Sequence, residues 1–315
     1  MKRVLCIIVT LFCLSGCGQK IEMSELGIVS GFGIDKLETG YRLTAQIVNP
    51  SAIAGNQHDT LAVFSISAEG ETLFEAFNAL NTLTSKVLYL PHLSVIVVNE
   101  ELAKDGINHV LDFVLRNVTI RPNIALAIAN NASAEDVLHV LVPSEQIPIK
   151  QLDSLSNLSS ADAGTEVNYN LYQVSGMVNS ESANIVLNSV AIIGDGIEEG
   201  ERLDNVLQIE SDTQLQINEL AVFNSDKLVG YLNSEESQYY NLLVGGNKHY
   251  VVTDLLDDEY KLSYELRASK VEIKPNIDEN KVSIDCEVNG ILMENEYSID
   301  LLNPDNIAVL QTYLE

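Results

Sequence analysis

Apolar positions along this chain change period several times, and each change marks an element. Leu26 to Asp35 and Tyr41 to Val48 read as two strands, and Thr44-Ala-Gln-Ile-Val48 shows the alternation, the period of two that a half-buried strand requires. Glu38-Thr39-Gly40 between them supplies a turn. Leu61 to Ser67 alternates again and predicts a third strand. From Glu71 to Leu80 the period lengthens. Leu73, Phe74, Phe77 and Leu80 recur at i, i+1, i+4 and i+7, one face of a helix. Leu93 to Val98 predicts a short apolar strand. Glu100 to Arg116 predicts one helix, with Ile107, Val110, Leu111 and Val114 on its apolar side. Ile124 to Ala129 is strand-like, and Ser133-Ala-Glu-Asp136 has the spacing of a capping box that opens a short helix.

The second half is less regular. Ser144 to Ser182 is polar and predicts a short helix followed by a long connection. Asp195 to Asp204 is an acidic turn region and a boundary between domains. Beyond it come a strand at Gln214 to Val222, a helix at Ser234 to Leu243, and strands from Lys248 to Leu292. Ser263 to Lys274 and Lys281 to Gly290 form a hairpin closed by the loop from Pro275 to Asn280. Pro304 sits in the first turn of a last helix. Strands in runs with packed helices, and no long internal repeat, define an α+β fold of mixed or antiparallel sheets in two to three domains. The organisation expected is a signal peptide at 1–16, an N-terminal α+β region at 17–195 and a C-terminal one at 205–315.

The amino terminus has its own logic. Lys2 and Arg3 precede an apolar run from Val4 to Leu14. A bilayer-spanning helix needs roughly 20 apolar residues, so this run is too short to span and fits a secretory signal. Leu14-Ser15-Gly16-Cys17 then resembles the bacterial lipobox, a large apolar residue and two small ones before a cysteine. Its thiol would accept a diacylglyceryl group, and cleavage would leave Cys17 first in the mature chain. Each buried methylene contributes about 0.8 kcal/mol, so two acyl chains anchor stably where one is marginal.

Charge then excludes several partners. The formal net charge is −27, with no basic stripe to neutralise phosphates, which argues against nucleic acid and against docking by charge on anionic lipid. Of four cysteines, Cys6, Cys13 and Cys17 lie in the first seventeen residues and only Cys286 in the body, so no disulfide framework is expected there. Cys286 falls in an alternating strand pattern and reads as an inward core thiol. His58, His92, His109, His139 and His249 show no metal-ligand spacing. Gly27-Ile-Val-Ser30-Gly31 is not a nucleophile elbow, and Gly31-Phe-Gly33 reads as a tight strand end. The acids from Asp195 to Asp204 do not follow a calcium-loop ladder and read as a solvated turn. No catalytic set, metal or cofactor is expected.

Three stretches carry a resemblance. Glu22 to Asp35, with its Gly31-x-Gly33-x-Asp35 end, leads to Tyr41–Pro50, which closes on Asn49-Pro50. His92 to Ile107 is followed by Leu111-Asp-Phe-Val-Leu-Arg116 and Ile120-Arg121. Leu220-Ala-Val-Phe223 leads through Gly230-Tyr-Leu232 to Glu236. Together, and in this order, they resemble the Ger(x)C family, the lipoprotein C subunits of spore germinant receptors. Gly18 and Gln19 stand where that family usually has Trp-Asp. Members usually run tens of residues beyond the position of Glu315, so the resemblance implies either a last domain that is incomplete in this sequence or a shortened paralogue. It also implies a non-catalytic subunit on the outer face of the spore inner membrane. Such a subunit would be held by its diacylglyceryl anchor and paired with integral-membrane A and B subunits in nutrient-triggered germination. The alternative is a lipid-anchored extracytoplasmic solute-binding protein, against which stands a second half that is mostly strand.

Overall fold

The structure is a computed structural model and describes residues 25–54, 61–157, 165–180, 184–244, 250–256, 260–295 and 302–312. Cys17 and the signal segment lie outside the described residues, as do His58 and His249. The strands are β1 (Leu26–Lys36), β2 (Tyr41–Val48), β3 (Val63–Gly70), β4 (Val87–Tyr89), β5 (Val95–Asn99), β6 (Ala125–Ala129), β7 (Val186–Gly194), β8 (Thr213–Asn224) and β9 (Lys227–Leu232). These nine form one mixed sheet in the order β3-β2-β1-β5-β6-β7-β8-β9, with β4 paired to β1. The centre is parallel, where β1, β5, β6 and β7 neighbour one another. Both flanks are antiparallel. A second sheet holds β10 (Tyr250–Leu256), β11 (Tyr260–Asn276) and β12 (Lys281–Asn295), all antiparallel.

Parallel central strands must be covered on both faces. Here alternate residues feed two cores. Phe32, Ile34, Ile96, Val98, Leu126 and Ile128 face one side, packed by helices α2 (Leu73–Leu80), α3 (Glu100–Asp105), α4 (Asn108–Arg116) and α7 (Leu171–Val178). Val95, Val97, Ala127 and Ala129 face the other, packed by α5 (Ala134–His139) and α6 (Ile149–Asn157). The remaining helices are α1 (Pro50–Ala54), α8 (Ile197–Gly200), α9 (Asp204–Leu207), α10 (Ser234–Leu243) and α11 (Pro304–Thr312). The α+β class with mixed sheets and packed helices is what the pattern predicts.

Several expectations are corrected. The helix expected over Glu100 to Arg116 is two helices broken at Gly106, whose φ is +134°. The break exists because the β8–β9 turn docks there. The Ile107 N–H donates to the Asp226 carbonyl at 2.9 Å, and a Cβ on Gly106 would stand 2.6 Å from Asp226 Oδ2. Among its described residues the segment from Ser144 to Ser182 holds two helices, α6 and α7, rather than one short helix. The strands β4, β7 and β9 come from stretches whose alternation is too short or too uniformly apolar to announce them. The acidic stretch from Asp195 to Asp204 joins β7 to β8, which pair along Val186↔Val222 to Gly194↔Thr213. One sheet therefore runs across the expected boundary. Buried Asn205 secures that stretch, donating to the carbonyls of Leu141 and Thr213 and accepting from the Thr213 N–H.

Gly31 and Gly33 lie inside β1, not at a strand end. They face α5 and α6. A Cβ on Gly33 would come within 2.9 Å of the Ala134 carbonyl oxygen, and one on Gly31 within 2.7 Å of Ile149 Cγ1. The pair lets two helices lie against the strand backbone.

Cys286 is exposed, which overturns its reading as a core thiol. It sits on the outer strand of the second sheet, where almost every β12 residue is open to solvent. The small core of Leu262, Tyr264 and Leu310 covers only the far end of that sheet.

Candidate functional site

The most regular piece of chemistry is a cap. Asp35 closes β1 and is buried. Its Oδ1 accepts the Ala134 N–H at 2.7 Å and its Oδ2 accepts the Glu135 N–H at 3.1 Å. Within α5 the capping box predicted at Ser133 and Asp136 is present. The glycines of Gly31-x-Gly33-x-Asp35 thus admit α5, and the aspartate ties its first turn to the sheet.

Burial is the largest influence on Asp35 and raises its carboxyl above the ordinary 3.8, against the two N–H groups that pull it down. The folded state therefore holds this proton more tightly than the unfolded chain. The stability it contributes is full below pH 3.8 and is lost as pH rises through the raised value. Asp35→Asn should remove this dependence. In urea unfolding across acid pH, wild type should lose stability relative to the variant as pH rises; a constant difference would refute the reading.

Beside the cap, Arg42 of β2 bridges two acids, with Nη2 at 2.8 Å from Glu69 Oε1 and Nη1 at 2.9 Å from Glu135 Oε2. Ser65 Oγ lies 2.7 Å from His139 Nε2, and Glu201 Oε2 lies 3.9 Å from His139 Nδ1. The order serine, histidine, acid is that of a nucleophilic triad, but 3.9 Å is too long for a hydrogen bond to orient the ring. The Ser65–His139 contact fastens the end of α5 to β3.

A cavity of about 750 Å³ opens between α2 and α4. Tyr41, Leu73, Phe74, Phe113 and Val118 give it apolar walls. Phe113 is fixed from behind by Phe77, whose ring centroid is 6.1 Å away, and Phe77 meets Phe32 edge-on at 6.3 Å. The rim carries Glu71, His109, Asp112 and Arg116. Arg116 Nε is bound by both oxygens of Asp112, at 2.7 and 2.8 Å. Phe74 does not join the helix's buried face as the periodicity predicts. Leu73, Ala76 and Leu80 fill that face, and Phe74 is 65% exposed at the cavity mouth. The residue signal for this site is that surplus aromatic, together with Asp112, Phe113 and Arg116 in the second family-like stretch.

Among the other expected features, His92 and His109 are exposed, the former beside Tyr89 at 5.7 Å between ring centroids. Among the described residues no group of three or more His, Cys, Asp or Glu is placed to hold a metal. No helix among them is long and apolar enough to cross a membrane.

The mixed sheet, its packed helices and the Asp35 cap define a protein of α+β class. Comparison with known proteins fixes the family. Residues 19–192 match the spore germination protein N-terminal domain, and residues 218–315 match the spore germination B3/GerAC-like C-terminal domain. The chain belongs to this spore germination family. It is 26% identical to spore germination protein KC of Bacillus subtilis (strain 168) over 98% of its own length and 78% of that protein's. It is 24% identical to spore germination protein B3 of the same organism, over 96% and 76% of the two chains. The crystal structure of the GerBC protein has the same fold, with a TM-score of 0.51 at 20% identity over 94% of this chain and 80% of that one.

Proposed function

We propose that this chain is a non-catalytic, lipid-anchored subunit of a spore germinant receptor. The observation that carries the reading is the order Leu14-Ser15-Gly16-Cys17 set directly ahead of two regions that match the spore germination family. Cys17 carries the acyl chains and holds the strongly acidic body at the outer face of the spore inner membrane. Its work is assembly with integral-membrane A and B subunits and coupling within that complex when nutrients trigger germination. In this reading the join between the two regions is continuous, since β7 of the first and β8 of the second are neighbours in one sheet.

Metabolic labelling with palmitate tests the anchor. Wild type should take up label and stay with the membrane fraction, and Cys17→Ala should do neither, because no second signal replaces two acyl chains. A tagged wild type should also co-purify two membrane subunits from spore membranes. Recovery of the unprocessed chain from the cytosol, with residues 1–17 intact, would overturn the reading.

A further inference from the structure

The cavity between α2 and α4 has a chemistry that neither the fold nor the receptor-subunit reading uses. At its mouth Phe74 is 65% exposed and Val118 is 96% exposed. Large apolar side chains held open beside a cavity mark a binding surface. Three aromatic rings, those of Tyr41, Phe74 and Phe113, line it. The ring of Phe113 packs against that of Phe77, their centroids 6.1 Å apart.

The charges are unequal. Asp112 and Arg116 neutralise one another through the two-oxygen contact to Nε. The Glu71 carboxylate has no ion pair among the described residues; only its backbone N–H is engaged, donating to Glu75. One uncompensated carboxylate therefore stands at the edge of an aromatic pocket. Around it lies a chain of formal net charge −27, whose field draws cations and repels anions. Ring faces and a lone carboxylate are the combination that recognises an organic ammonium group.

We propose that this cavity binds a small organic ammonium compound, its apolar body against Phe74 and Phe113 and its charged nitrogen at Glu71. A volume of about 750 Å³ falls in the range of small-molecule sites, and the measurement below separates a free molecule from a partner's lysine. The proposal goes beyond the receptor-subunit reading and does not depend on the state of Cys17.

Calorimetry and ligand-observed NMR on the full chain test it, with phenethylamine as the probe. Phenethyl alcohol supplies the same body without charge, phenylacetate reverses the charge, and Nα-acetyl-lysine amide stands in for a partner's lysine. Phenethylamine should bind saturably and about fivefold tighter than the alcohol, the size of a cation–ring and carboxylate preference at a partly open site. Phenylacetate should bind weakest, and the lysine amide more weakly than phenethylamine. Glu71→Gln should abolish the preference for amine over alcohol, and Phe74→Ala should weaken both. Both residues are exposed, and the unfolding midpoint of each variant should match wild type. Absence of saturable binding, equal binding of amine and alcohol, or an unchanged preference in Glu71→Gln would overturn the proposal. Tighter binding of the lysine amide would overturn the assignment to a free molecule.

Discussion

Replacing Gly33 with Val is expected to cost about 3 kcal/mol of folding stability, the upper end for forcing bulk into a packed interior. The first carbon added would already stand 2.9 Å from the Ala134 carbonyl oxygen, and the obstacle is backbone, which cannot rotate aside. Helix α5 must move off the sheet. That movement pulls the Ala134 and Glu135 N–H groups away from Asp35, leaving a buried carboxylate without the hydrogen bonds that make its burial tolerable. The effect should appear as a lower urea midpoint with an unchanged slope. Gly31→Val should be milder, because its neighbour is the side chain of Ile149, which can shift. Equal losses at the two positions would show that helix displacement is not the cause.

Phe32→Ala is expected to cost about 4 kcal/mol, the range for emptying a fully buried aromatic position. Phe32 has no exposed surface and stands at the middle of the large sheet, between β2 and β5. Its ring is also the first of three that lead outward through Phe77 to Phe113. Removing it lets Phe77 fall inward and takes the support from behind the cavity wall. The stability loss should therefore be accompanied by a changed near-ultraviolet signal from the remaining rings. Phe223→Ala, equally buried but in the outer part of the same core, should cost a similar amount. A loss below about 1 kcal/mol at Phe32 would mean that neighbours close the void at little cost.

Elements held by local pattern are legible in the sequence, and those held by distant partners are not. The bounds of β2 and of the helix at Ser234–Leu243 coincide with the predicted ones, because the patterns that set them are written in adjacent residues. The predicted capping box at Ser133 likewise needs only four consecutive residues. The break at Gly106 is different. It is set by Asp226, more than a hundred positions away, and nothing near Gly106 distinguishes a helix stop from a tolerated glycine. The glycines of β1 share that difficulty, since their need arises from α5 and α6. The exposure of Cys286 is hidden from the sequence because alternation says that a strand has two faces, not that both are open. The proposed lipid site at Cys17 is legible only in sequence, whereas the aromatic cavity is legible only once α2 and α4 are brought together.

The first matched region ends in β7 and the second begins in β8, and nine Cα partner positions stitch the two strands edge to edge. There is no hinge line at that join. A displacement imposed on residues 213–232 reaches 186–194 as in-plane shear on a ladder of hydrogen bonds, the stiff direction of a sheet. A chain severed between the two strands would leave two raw borders, each seeking the other, so the halves should be recoverable as a reassembled pair rather than as independent pieces.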